Sequence, residues 1–324
     1  MKRTDVFNLC VRGAGLALVC LLSACSSDPG VPIDLAQPSP QSIAREEERS
    51  SGSMDDLDSE TLLSKAAAFK KQGRANDALF YYVTFLEREP ESSAVLAAVG
   101  HIHLEKRNWD LAKTALEMSI KADPEQSEVL ESLGLIALRQ KDLTAAERYL
   151  TKAKSVNPHS VRALSTSALL EDQRNDHIKA RVHYEEALKI DPTNAGIRNN
   201  LAYSLCLANQ CEKALAVANE ALRLAPNHEG ILMNRGLFLM KLGRTDEAMT
   251  NFRRFMNEAD ANNNMGFLSM ENGNYPLARE YLEKAIRSSP SYHELAHRNL
   301  KKLGELVDRE MPVPEQVKWA SLKP

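Results

Sequence analysis

One pentapeptide has the spacing of a hydrolytic zinc site. His293-Glu294-Leu295-Ala296-His297 puts two imidazoles one helical turn apart, with a carboxylate between them to activate a metal-bound water. A catalytic zinc also needs a third protein ligand and a substrate cleft. Only 27 residues follow His297, and Glu305, Asp308, Glu310 and Glu315 are the later carboxylates. Surface histidines on a terminal helix are therefore expected, and a zinc metalloprotease is the least favoured reading. His101 and His103 stand two apart on a helical stretch and cannot face one ion. The sequence has no G-x-S-x-G, no Gly-rich phosphate loop and no Asp-rich calcium loop. Binding rather than catalysis is expected, with no cofactor, metal or small-molecule substrate. Cys206 and Cys211 are five residues apart across a helix turn, close enough to bridge and equally compatible with two free thiols.

The elements that position these residues are helical. The 324 residues are 43% hydrophobic, 26% charged and 6% aromatic, rich in Ala and Leu, with no sustained alternation of β-branched residues. An all-α chain with no sheet is expected. Lys plus Arg number 41 against 44 Asp plus Glu, a net charge of -3, which argues against nucleic acid as a partner.

At the N-terminus Lys2, Arg3 and Arg12 flank an apolar stretch from Gly13 to Leu22, too short to span a bilayer as a helix. Residues 1–24 read as a cleavable export signal. It closes on Leu22-Ser23-Ala24-Cys25, which resembles the lipobox of bacterial lipoproteins. The resemblance implies diacylglycerol on Cys25, and Ser26 after it implies sorting to the periplasmic leaflet of a Gram-negative outer membrane. Loss of Lys2, Arg3, Arg12 and Asp5 with the signal leaves a mature net charge of -5. Residues 25–58 combine the lipidated cysteine with a Ser-, Pro- and acid-rich stretch lacking apolar period, a tether with a reach of roughly 30 Å.

A 34-residue period fills the rest. Prolines recur at Pro90, Pro124, Pro158, Pro192 and Pro226, with a last one at Pro290. Alanine recurs at Ala78, Ala112, Ala146, Ala180, Ala214, Ala248 and Ala278, and a small residue at Ala66, Gly100, Gly134, Ala168, Ala202, Gly236 and Gly266. This pattern is similar to the tetratricopeptide repeat. It implies about seven helix-turn-helix units over residues 59–292, stacked as a right-handed superhelix. Gly236 to Gly266 is only 30 residues, so the sixth unit has lost about one helical turn after Ala248, with a change of pitch expected there. Residues 293–310 read as a solvating cap helix, and residues 311–324 as a tail without period.

In that family the first helix of each pair lines the concave face. The resemblance places Asn200, Asn234 and Asn264 at one inward position in successive repeats, where amides can bond an extended peptide backbone. Tyr203, Met233, Leu237, Met240, Phe267 and Met270 stand around them as an apolar, adaptable wall. The alternative is that the asparagines bridge neighbouring helices and the methionines fill the core. Ser64, Ala98, Ser132 and Thr166 occupy the same position earlier, so the C-terminal half is the favoured groove.

Asn199-Asn200-Leu201-Ala202-Tyr203-Ser204-Leu205 and the run from Pro290 to Leu300 resemble the TadD family, the repeat lipoproteins of the tight-adherence (Flp) pilus system. This implies a non-enzymatic scaffold for pilus assembly, with the secretin or another pilus assembly protein as partner and the membrane reached through the lipid anchor. An adaptor for outer-membrane protein assembly or for peptidoglycan enzymes is the alternative.

Overall fold

The computed structural model describes residues 57–310. The signal, Cys25, nearly all of the tether and the tail from Met311 lie outside the described residues. Within them are fifteen α-helices and no strand, as expected from composition and period. They are α1 (Ser59–Lys71), α2 (Ala75–Arg88), α3 (Ser93–Glu105), α4 (Trp109–Ala122), α5 (Ser127–Arg139), α6 (Leu143–Val156), α7 (Val161–Gln173), α8 (His177–Ile190), α9 (Ala195–Leu207), α10 (Cys211–Leu224), α11 (Glu229–Lys241), α12 (Thr245–Phe252), α13 (Glu258–Glu271), α14 (Tyr275–Ser288) and α15 (Glu294–Glu310). They form seven pairs and a terminal helix, and fall into two compact units, residues 57–170 and 171–310.

The turn inside each pair is built the same way. One residue takes a left-handed backbone: Gly73, Arg107, Lys141, Asn175, Asn209, Gly243 and Gly273, with φ between 59° and 74°. The next amide then donates back to a carbonyl five residues earlier, as in Asp142 N to Ala137 O and Gln210 N to Leu205 O, both 2.9 Å. This satisfies carbonyls that the end of a helix leaves open. Three of the second helices start on short polar caps: Asp142 accepts from Ala145 N, Asp176 from Lys179 N and Asn274 from Leu277 N. Between pairs, the residue before the repeated proline leaves helical geometry, and Asp123 and Asn157 are extended, because proline disfavours the helical region there.

The small periodic positions are where the two helices of a pair touch. A Cβ on Gly100 would sit 2.6 Å from Leu116, and one on Gly236 would sit 2.3 Å from the Phe252 ring. Glycine lets a large buried side chain lie against the opposite backbone, and Leu116 and Phe252 are both fully buried. In the N-terminal unit the first pairs close around Leu62, Tyr82, Phe85 and Ile102. In the C-terminal unit Leu239, Phe252, Met265, Leu282 and Leu303 share one core, with α15 sealing it through Leu303.

The sixth pair departs as its spacing implies. Its second helix α12 has eight residues where the other second helices have fourteen. Residues 253–257 take the place of the missing turns. Arg253 donates twice to the Glu258 carboxylate, at 2.7 and 2.6 Å, and Phe255 packs onto the core.

Candidate binding surfaces and polar networks

Of the three expected groove asparagines, one is paired with another asparagine. Asn234 Nδ2 donates to Asn199 Oδ1 at 2.9 Å, linking α11 to α9. The same arrangement recurs from α15 to α13, where Asn299 Nδ2 donates to Asn263 Oδ1 at 3.0 Å. Buried amides are thus used between neighbouring first helices, the bridging alternative, because each supplies the donor or acceptor that its neighbour lacks. Asn264 donates to Met256 Sδ at 3.1 Å, a weak acceptor, and the buried Oδ1 of Asn200 accepts no bond.

The wall residues divide. Met240, Phe267 and Met270 are buried in the C-terminal core, so their side chains fill it rather than face a ligand. Met233 and Leu237 are partly buried against the same core. Tyr203 is half-buried, and burial, with the nearby Asp172 charge, pushes its phenol up to about 12, so it is neutral at any physiological pH.

An open cleft of about 600 Å³ lies to one side of this wall, where α11, the 253–257 segment, α13 and the start of α15 meet. It takes in Met233 and Asn264 from the expected groove and adds Arg254, Phe255, Met256 and Leu295. The sequence signal for it is the shortened sixth unit. Spacing locates the deletion but not the way the replacement segment folds.

Two further features join residues at equivalent positions of successive pairs. Cys206, in the last turn of α9, and Cys211, which opens α10, form a disulfide across their turn, resolving the two alternatives. Thirty-four residues earlier stand Asp172 and His177. His177 Nδ1 lies 2.8 Å from Asp172 Oδ1, so the same turn of the preceding pair is closed by a hydrogen-bonded pair. Ser204 Oγ donates to Asp172 Oδ1 at 2.6 Å and Tyr184 Oη to Oδ2 at 3.1 Å. Burial raises the Asp172 carboxyl above its ordinary value, and these bonds oppose the rise. Burial, then the Asp172 charge, lifts Tyr184 as well. Serine, histidine and aspartate meet here without forming a nucleophilic triad, since Ser204 donates to the aspartate rather than to the histidine and is buried. Asp172 stands where Leu138, Met240 and Met270 stand in other pairs, and Ser204 where Ile102, Ile136 and Phe238 do. That register comparison is the signal that would have found the network.

The zinc-like pentapeptide is otherwise occupied. His293 precedes α15, where its Nδ1 accepts from Ala296 N at 3.2 Å while Nε2 faces Asp260 Oδ1 at 3.2 Å. The expected cap helix therefore begins at Glu294, one residue later, with His293 as its cap. His297 stacks on the Tyr292 ring at 4.4 Å. The two imidazoles thus do not share a helical face toward one ion, and no group of three metal-binding side chains occurs among the described residues. In the N-terminal unit, His101 Nε2 contacts Ser132 Oγ at 3.2 Å, and burial, followed by the Arg162 charge, lowers its affinity for a proton.

Residues 20–263 match the family model of the C-terminal domain of cilia and flagella-associated protein 70, a tetratricopeptide domain, and residues 259–292 match the tetratricopeptide repeat itself. The chain is a tetratricopeptide-repeat protein. Its repeats are similar in fold to a tetratricopeptide protein from Parabacteroides merdae, at 17% identity and a TM-score of 0.59, over 76% of this chain and 98% of that one. They are also similar to PilW, described as a widely conserved type IV pilus biogenesis factor, at 18% identity and a TM-score of 0.54, over 64% and 97%. The third likeness is to PilF of Pseudomonas aeruginosa, at 16% identity and a TM-score of 0.51, over 67% and 98%. No curated protein matches the sequence. Tetratricopeptide arrays are protein-interaction scaffolds and are typically non-enzymatic.

Proposed function

We propose that this tetratricopeptide protein is a lipid-anchored adaptor for assembly of a surface pilus of the tight-adherence (Flp) type, TadD-like, acting on the secretin or another pilus assembly protein. In this reading Cys25 carries the lipid, the tether lifts the repeats clear of the periplasmic leaflet of the outer membrane, and the C-terminal unit holds a segment of the partner. The observation that carries it is the combination of a lipobox-like Leu22-Ser23-Ala24-Cys25 with a repeat fold shared with PilW and PilF. Several acyl chains, at about 0.8 kcal/mol per buried CH₂, make such an anchor effectively permanent.

Two experiments test it. Metabolic labelling with an alkynyl fatty acid is expected to mark the wild-type chain and not Cys25→Ser. Crosslinking in intact cells, followed by capture of the chain, is expected to recover a secretin or pilus subunit. Unlabelled wild-type protein refutes the anchor, and capture without any pilus component refutes the pilus assignment.

A further inference from the structure

We propose that the cleft beside the shortened sixth repeat is a docking site for an extended segment of a partner polypeptide that presents a large apolar side chain with a carboxylate next to it. The proposal rests on the protein-binding reading above and names the chemistry of what is bound.

The cleft exists because α12 ends at Phe252. The 253–257 segment that replaces its last turns brings Phe255 and Met256 to the cleft, which they line together with Met233 of α11 and Leu295 of α15. Methionine and phenylalanine are adaptable linings, and the volume of about 600 Å³ suits a short extended segment with one large side chain.

Asn264 supplies the second observation. Its side chain is only 5% exposed and lines the cleft, yet its donor is spent on the Met256 thioether and its oxygen accepts no hydrogen bond among the described residues. Asn234 bonds Asn199 and Asn299 bonds Asn263, and Asn200, whose oxygen is also unbonded, does not line the cleft, so Asn264 is the cleft amide with a displaceable partner. Swinging Met256 aside exchanges a weak sulfur acceptor for a backbone carbonyl and offers the amide oxygen to a backbone N–H.

Charge selects what stands next to the apolar side chain. Arg253 is closed off by both oxygens of Glu258, whereas Arg254 is exposed and gives one N–H to Pro226 O at 3.3 Å, leaving donors of its planar fork for a carboxylate. The acids of the cleft do not compete for this role. Asp260 already accepts from His293 Nε2 and from Asn257 Nδ2, and Glu229 is itself engaged. The chain's own residues 311–324 fit less well, since none of Val313, Val317, Trp319 or Leu322 has an acid on either side.

The test is fluorescence anisotropy of the full chain with a labelled Gly-Ser-Phe-Asp-Ser-Gly probe, alongside the same probe carrying Asn for Asp or Ala for Phe. The expected result is saturable binding of the first, about tenfold weaker binding of the Asn probe, and none of the Ala probe. Arg254→Ala, an exposed change, is expected to make the Asp and Asn probes equal, and Asn264→Ala to weaken both alike. No binding up to millimolar protein, an Asp preference that survives Arg254→Ala, or equal binding of the Ala probe overturns the proposal. So does binding that emerges only in a chain ending at residue 310, which would assign the cleft to the tail. Secretin capture that persists while the probe fails would leave the adaptor reading standing and remove the cleft. Probe binding without secretin capture would do the reverse.

Discussion

Replacing Gly236 by alanine tests the close approach of paired helices most directly, because two opposing terms can be weighed from the structure. In a helix interior, Gly→Ala stabilises by about 1 kcal/mol through backbone entropy. At Gly236 the new Cβ would lie 2.3 and 2.4 Å from two ring carbons of Phe252 and 3.0 Å from a third. Non-bonded carbons prefer about 3.5–4.0 Å, so the ring must withdraw by more than 1 Å. Phe252 has no exposed surface and sits in the core shared by Leu239, Met249 and Leu282, so nothing behind it yields freely. Overpacking of this kind costs about 1–3 kcal/mol, and a contact this short belongs at the upper end. The net expectation is destabilisation by about 1–2 kcal/mol. Gly304 in α15 is the control, since a Cβ there meets nothing within 4 Å and the same substitution should stabilise by about 0.5–1 kcal/mol. Repeat arrays unfold in stages, so amide hydrogen exchange across α11 and α12 is the suitable assay, with denaturant unfolding by circular dichroism beside it. Across the series the cost should be largest at Gly236 and smallest at Gly134, where the nearest atom is a Leu150 carbon at 2.8 Å. Gly236→Ala as stable as wild type would refute the reasoning.

Three other outcomes follow from the turns and the buried network. Lys141 holds φ at 62° without being glycine, so Lys141→Gly should raise stability by about 0.5–1 kcal/mol in denaturant titration, while Gly73→Ala, at φ 74°, should lower it. Reducing Cys206–Cys211, or changing both to serine, should cost about 2 kcal/mol, as the chain-entropy relation gives for so short a loop; intact mass before and after reduction checks that the bridge is present. For Asp172 the folded pKa is raised above the ordinary 3.8, so the folded state holds the proton longer than the unfolded state does. Its contribution to stability is therefore largest below the unfolded value and declines as pH rises from there through the raised folded value. The stability difference between wild type and Asp172→Asn should fall across that window, and a difference that grows with pH would contradict the sign.

The fold was legible because its determinants are periodic. Ala and Gly at fixed steps mark where backbones touch, and the structure puts Leu116, Leu150, Phe252 and Leu282 against those glycines. The site was less legible for two physical reasons. An amide on a first helix carries both a donor and an acceptor, so Asn234 suits a ligand and a neighbouring helix equally until the position of Asn199 is known. Methionine at helical spacing is likewise apolar toward core or solvent, and only packing shows that Met240 and Met270 are inside while Met233 reaches the cleft.

Departures from the repeat, rather than the repeat itself, carry what is particular to this chain. A position that is Leu, Met or Ile in most pairs is free to become polar only where a partner changes with it. Asp172 therefore comes with His177, Tyr184 and Ser204 in bonding distance, since a lone buried carboxylate would cost several kcal/mol. The next pair meets the same demand, closing its turn, with Cys206 and Cys211 at the equivalent positions. Two successive turns are thus stapled by different chemistry, one responsive to pH and one to thiols, immediately before the pairs that form the cleft. We expect these fixed turns to limit fraying in the helices that lead into α11. If so, reduction of the disulfide should increase amide exchange in α9 and α10 before it does so in α14. Uniform exchange along the C-terminal unit would show that the staple acts on the whole array instead.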